Sequence, residues 1–254
     1  MRNLVITFTI LFSSVAAFAE TSDQYIHRSE FFFCNFNEGK SYADLLEEQA
    51  PYEDFLKEKG LQYNRINLLP IWDNDAEYDY VMWGNWPSGQ DQYKEWGAYM
   101  NDYPKWASDN DVPPQNVGDC AKGAVSMRFH SVLRLRIPME DRDERLFTDW
   151  RRCKLTEDAN VAELKALYAK QEKLAKDFGL NGYGVSFFTP YRGNQTGADW
   201  DFLMMTHWYN AESRMNMISS WAEFSDLLED SGIRKERSKP VSYTHLTLPT
   251  KRIV

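Results

Sequence analysis

The chain carries one ordered set of landmarks twice, and that repeat constrains its fold more than any other feature. Cys34 opens CNFNEGKSYADLLEEQAPYEDFLKEKGL and Cys153 opens CKLTEDANVAELKALYAKQEKLAKDFGL, each reaching a glycine, Gly60 or Gly179, 26 residues on. Within these stretches Ser41-Tyr42-Ala43-Asp44 falls on Asn160-Val161-Ala162-Glu163. Both read as capping boxes, in which a side-chain oxygen and an acid satisfy the orphan N–H groups of a helix start. Gly60 and Gly179 then stand where a left-handed residue ends a helix at little cost. Downstream, Leu68-Leu69-Pro70 matches Phe188-Thr189-Pro190, and the run from Tyr78 to Trp86 matches the run from Trp200 to Trp208. A period of this kind is sought first because missing it misassigns the whole fold.

Each unit has the same grammar. A short aromatic strand (31–36; 147–155) leads into a capped amphipathic helix (41–59; 160–178), in which Pro51 predicts a kink or a break. Two strands follow (63–71 and 78–86; 183–191 and 200–208), then a second helix (88–102; 210–230). An alternating strand, 125–137, closes the first unit. This order is the ferredoxin-like pattern, so the fold class is α+β: two βαββαβ repeats forming one pseudo-twofold barrel.

The two ends are read separately. Residues 1–19 have the form of a secretory signal peptide, with Arg2, an apolar stretch from Leu4 to Val15, and Ala17-Phe18-Ala19 as a small-x-small cleavage site. That stretch is shorter than the roughly 20 residues a bilayer core requires, so export is expected, to the periplasm or the outside of a bacterium. Residues 241–254 (VSYTHLTLPTKRIV) bear no relation in composition to what precedes them. They resemble the peptide that arises when sequencing-adapter DNA is translated, and are set aside with His245 as a non-native tail. The divisions are therefore 1–19 signal peptide, 20–138 first repeat, 139–240 second repeat and 241–254 tail. The second repeat is expected to lack its last strand. The mature charge follows from losing Arg2: 28 basic against 38 acidic groups, or -10. A phosphate backbone needs a basic face, so nucleic acid is excluded as a partner, and no later segment is apolar enough to span a membrane. Nothing in the sequence chooses between monomer and homodimer.

The opening Cys34-Asn35-Phe36-Asn37-Glu38-Gly39-Lys40, the aromatic strand YDYVMWGNW and the doubled βαββαβ order resemble the dimeric α+β-barrel superfamily in its tandem form, over about residues 29–230. The resemblance implies two ferredoxin-like sheets packed into a barrel. Its members include cofactor-free monooxygenases, isomerases, haem proteins and proteins of no known role, so it implies no single activity. In a ferredoxin-like sheet the first and fourth strands are antiparallel neighbours. That implies a Cys34–Cys120 disulfide, permitted by export, and leaves Cys153 unpaired. A catalytic Cys153 activated by Arg151, Arg152 and Lys154 is the rival assignment.

Strand alternation assigns the remaining candidates. Asp79, Val81, Trp83 and Asn85 share one face, matched by Asp201, Leu203, Met205 and His207. The opposite faces are uniformly large and aromatic and suit packing against helices. The mixed faces are assigned to the barrel interior, where polar groups in an apolar cavity suit a ligand. The ligand-binding candidates are thus His207, Asn85, Trp83, Asp79, Asp201 and Met205. His130, with Arg128, Arg134 and Arg136, is either an anion lining or the charged side of an edge strand. No motif for zinc, serine hydrolysis, dithiol redox or covalent haem is present. No cofactor is predicted, with haem as the alternative. Met204, Met205, Met215 and Met217 near His207 raise a copper site, though methionine more often fills cores. Three functions remain: an exported binder of a small, partly apolar molecule in a barrel cavity; a monooxygenase- or isomerase-like enzyme using that cavity; and a non-catalytic envelope interaction protein with a packed barrel. Whether the chain is an enzyme is not decided by these residues.

Overall fold

The computed structural model describes residues 27–71, 77–120, 124–157, 159–192, 200–238 and 240–253, with backbone alone at 192, 237–238 and 241–253. The first half comprises β1 (His27–Phe36), α1 (Tyr42–Lys59), β2 (Asn64–Pro70), β3 (Tyr80–Trp86), α2 (Gly89–Asn101), α3 (Tyr103–Asp109), β4 (Gly118–Asp119) and β5 (Ala124–Leu135). The second comprises β6 (Arg145–Leu155), α4 (Val161–Asp177), β7 (Tyr183–Arg192), β8 (Phe202–Trp208), α5 (Ala211–Ser219), α6 (Trp221–Asp230), α7 (Ile233–Ser238) and β9 (Val241–Ile253). The signal-peptide stretch lies outside the described residues.

Local chemistry starts and stops the helices as the sequence predicts. Ser41 and Asp44 form the reciprocal capping box of α1, and Asn160 Oδ1 accepts from the Glu163 N–H at 3.0 Å to start α4. Gly60 and Gly179 take φ of 61° and 89°, the left-handed conformation that costs glycine least. Pro51 does not split α1, which runs unbroken from Tyr42 to Lys59. Leu45 before it and Tyr52, Phe55 and Leu56 after it are all buried, so packing holds the turns that the missing N–H weakens. The helix expected over 210–230 is instead two, α5 and α6, meeting at Ser220.

All strand pairings are antiparallel. Within the first half the order is β5-β1-β3-β2, and within the second β9-β6-β8-β7. β5 also pairs with β7, and β2 with β9, so the circle closes into an eight-stranded barrel, with β4 a short addition beside β1. The halves agree in register. Cys34 faces Tyr80, Phe31 faces Trp83 and Ser29 faces Asn85; at the matching places Cys153 faces Phe202, Trp150 faces Met205 and Thr148 faces His207.

Two expectations are corrected. The second half has its fourth strand: β9 pairs with β6 from Val241 to Ile253 and with β2 over Thr250–Ile253. The open edges of β6 and β2 each present a row of unpaired N–H and C=O groups, and VSYTHLTL alternates with the period such edges accept. Nor is β5 an edge strand. It lies between β1 and β7, so the charges on it do not guard an edge.

Cys34 and Cys120 form the expected disulfide, with Cα atoms 4.1 Å apart. Cys153, its counterpart, is a free, fully buried thiol.

Candidate functional site

Alternation sorts the side chains of β3 and β8 as expected. Val81, Trp83 and Met205 are buried inside the barrel with Phe31, Trp150 and Phe188, and Leu203 packs against them. On the other face Phe202, Met204 and Trp208 lie among Tyr168, Phe187 and Phe224 beneath the helices of the second half. The middle of the barrel is an aromatic plug. Phe31 lies 5.5 Å from Trp150 and 5.3 Å from Phe188, and Trp83 lies 5.8 Å from Trp150 (centroid distances), mostly edge to face. Trp83 and Met205 therefore serve as packing at the centre, not as the walls of an open cavity there.

The plug has a polar cap at one end. Trp83 Nε1–H donates to Ser29 Oγ at 3.1 Å, and the Ser29 hydroxyl donates to Asn85 Oδ1 at 2.7 Å. In the second half Trp150 Nε1–H donates to Thr148 Oγ1 at 3.1 Å. Because Thr148 faces His207 as Ser29 faces Asn85, the pseudo-twofold brings His207 and Asn85 to the same end of the barrel, on the interior face. The ring of His207 lies across Gly184: a Cβ there would stand 2.5 Å from Cε1 and 2.7 Å from Nε2. Only glycine permits that approach. One interior position further along β7, Ser186 is fully buried, and its hydroxyl has no hydrogen-bond partner among the described residues. Ser131, opposite Ser186, accepts from Arg134 Nε. His27 completes this end; burial, and then the charge of Arg134, hold its pKa below the usual value.

Asp79 and Asp201 are not part of this constellation. They sit at the other ends of their strands, exposed, where Asp79 Oδ2 accepts from the Phe36 N–H at 2.8 Å and Asp201 Oδ2 from the Leu155 N–H at 2.7 Å. Each carboxylate thus fastens the end of the strand that opens its half. Of the predicted set, then, His207 and Asn85 stand at the same end of the barrel, Trp83 and Met205 pack at its centre, and the two aspartates are elsewhere. Ser29, Thr148 and Ser186 escaped the sequence reasoning; their positions opposite or beside the candidates on alternating strands were the available signal.

His130 faces outward from the barrel. Its Nδ1 lies 3.1 Å from Lys165 Nζ and its Nε2 3.1 Å from Thr189 Oγ1. An ammonium only donates, so the ring accepts at Nδ1 and carries its proton at Nε2. Burial, reinforced by Lys165 and Arg128, pushes its pKa down to about 4. Burial likewise pushes the Cys153 thiol up to about 12, so it is not an activated nucleophile at neutral pH. The four methionines divide: Met204 and Met217 are in the helix-side core, Met205 in the barrel, and Met215 is exposed. Among the described residues no three His, Cys, Asp or Glu side chains stand together as a metal site would require.

Haem needs a flat slot and an axial ligand. Both ring nitrogens of His130 are engaged, His207 lies against Gly184, and aromatic side chains fill the second half's layer between sheet and helices. With that layer filled, the described residues of the second half offer the group no slot there.

No protein-family model matches the chain, and no curated protein does. Among solved structures it is similar to a double mutant of chlorite dismutase from Candidatus Nitrospira defluvii, at 11% identity over 90% of this chain and 92% of that one, with a TM-score of 0.48. It is also similar to the chlorite dismutase of that organism in complex with imidazole, at 11% identity over 90% and 91%, with a TM-score of 0.47. At that distance neither activity nor cofactor carries across. Among the described residues no helix is long and apolar enough to cross a membrane.

Proposed function

We propose that the chain is an exported binding protein that seats a small, partly apolar molecule at the His207 end of its barrel. Ser186 carries this reading. Its hydroxyl is buried on the interior face beside Gly184 and His207 with no hydrogen-bond partner among the described residues, and buried hydroxyls are rarely left so. A ligand's polar head set among Ser186, His207, Thr148 and Asn85 would rest its apolar body on the indoles below, the mix of apolar wall and few polar groups that small-molecule sites share. Binding is preferred to catalysis because, of the described residues assigned to this end, none is a carboxylic acid or thiol to act with the imidazole. The aromatic plug supports one second reading, an envelope protein whose solid barrel makes only protein contacts.

The experiment is mass spectrometry of small molecules released by denaturing the purified protein. A discrete compound is expected from the wild type and from His130→Ala, and roughly fivefold less of it, or less still, from His207→Ala, since one hydrogen bond to a ligand is worth about 1 kcal/mol or more. Equal recovery from all three would remove the site; no compound from any would leave the packed-barrel reading in its place.

A further inference from the structure

β5 turns a charged side chain into the barrel at the His207 end. Leu133 and Leu135 are buried in the helix-side core, so Arg134 between them takes the interior face. It stands opposite Gly184, over which the His207 ring lies. Its Nε donates to Ser131 Oγ, and Ser131 faces Ser186, one layer nearer the aromatic plug. The guanidinium is thus drawn down the barrel rather than out toward bulk water. Among the described residues no carboxylate forms an ion pair with it. Arg134, Ser131, His207 and Asn85 are all half-buried, so this end is open to solvent above the fully buried Ser186.

The groups with capacity left at this end are donors. An indole only donates, so Trp83 takes Ser29 Oγ as its acceptor, and the Ser29 proton goes to Asn85 Oδ1. Asn85 keeps its Nδ2–H groups for another partner. Arg134 keeps the N–H groups beyond Nε, and the Ser186 hydroxyl has a proton to give. The charge is single. Arg142, which reaches this end over Tyr209, is already engaged: its Nε and Nη2 donate to the Ile137 C=O at 3.2 and 2.9 Å, and its guanidinium lies 4.5 Å from the Tyr209 ring centroid. One uncompensated guanidinium matches a monoanion, and its planar fork matches the two oxygens of a carboxylate. A phosphate would bring further charge with nothing opposite it. Beneath the donors, the rings of the plug offer only apolar surface to the rest of the molecule.

We propose that the molecule held at the His207 end is a monocarboxylic acid with an apolar body, its carboxylate paired with Arg134 and bonded by the Ser186 hydroxyl. This rests on the function proposed above, whose ligand it specifies. Calorimetric titration of the dialysed full chain with phenylacetate and hexanoate, beside phenylacetamide, hexanamide and inorganic phosphate, tests it. At least one acid is expected to bind roughly tenfold or more tighter than its neutral amide, because hydrogen bonds to a charged group are the strong ones. Arg134→Gln should abolish that preference. Arg134→Lys should weaken the acid yet keep it ahead of the amide, and with the wild-type comparison it carries the test if Arg134→Gln fails to fold. An amide that binds as tightly as its acid, and is lost with His207→Ala, overturns the carboxylate and leaves the site standing. An acid whose binding ignores both Arg134→Gln and His207→Ala overturns the two together. The proposal fails equally if neither acid binds, or if phosphate binds in place of the acids.

Discussion

His130 and His207 are the same residue type in opposite situations. His130 is locked neutral between an ammonium and a hydroxyl. The unfolded chain takes up this proton near pH 6.5, whereas the folded protein does so only at about 4. The stability tied to its neutral form is therefore complete above pH 6.5 and is lost as pH falls toward 4. Because the group is partly exposed, solvent screening leaves about 1–2 kcal/mol of this. Urea melts at neutral and at acid pH should show His130→Gln losing less stability on acidification than the wild type. An unchanged pH dependence would mean that His130 titrates normally in the fold. His207 instead faces inward over Gly184, which is why it, not His130, belongs to the proposed site.

At the scale of elements, the halves are built by the same fastenings. Cys34 C=O accepts from the Asp79 N–H at 2.9 Å, and Cys153 C=O from the Asp201 N–H at 2.8 Å, while each aspartate carboxylate returns a bond to the strand end. Asp79→Ala should therefore cost about 1 kcal/mol in a denaturant melt and leave recovery of the bound molecule unchanged. Loss of the molecule with Asp79→Ala would restore that residue to the site. The element order, the caps and the strand faces were legible because each rests on local arithmetic: period two, period 3.6, and a glycine where φ turns positive. Alternation tells which face a residue takes but not which end of the barrel it occupies. That is why Asp79 and Asp201 travelled with Asn85 and His207 in the sequence reading. Ser186, inside the run Val185-Ser186-Phe187-Phe188, is hidden for a related reason: a strand buried on both faces shows no alternation to read. The polar layer of the first half was hidden too. Glu95 takes bonds from Tyr52 and from Trp86 where the second half packs Met217, and burial holds its pKa above the usual carboxylate range. A charged residue on an amphipathic helix gives no sign of which such groups turn inward.

For the whole molecule, closure decides what kind of site is available. With β9 between β6 and β2 the eight strands leave no long edge, and the interior is accessible only from the ends. The plug of Phe31, Trp83, Trp150 and Phe188 then separates an end fastened by Asp79, Asp201 and the disulfide from an end lined by amide, hydroxyl and imidazole. The first end holds structure, and the second is where the proposed site lies. The most direct measurement is the imidazole nitrogen spectrum of the protein, with His207 assigned through His207→Gln, before and after the released molecule is added back. The account predicts that the His207 ring resonances move on binding while those of His130 stay where they were. Movement at His130 with His207 unchanged, or at neither, would contradict it.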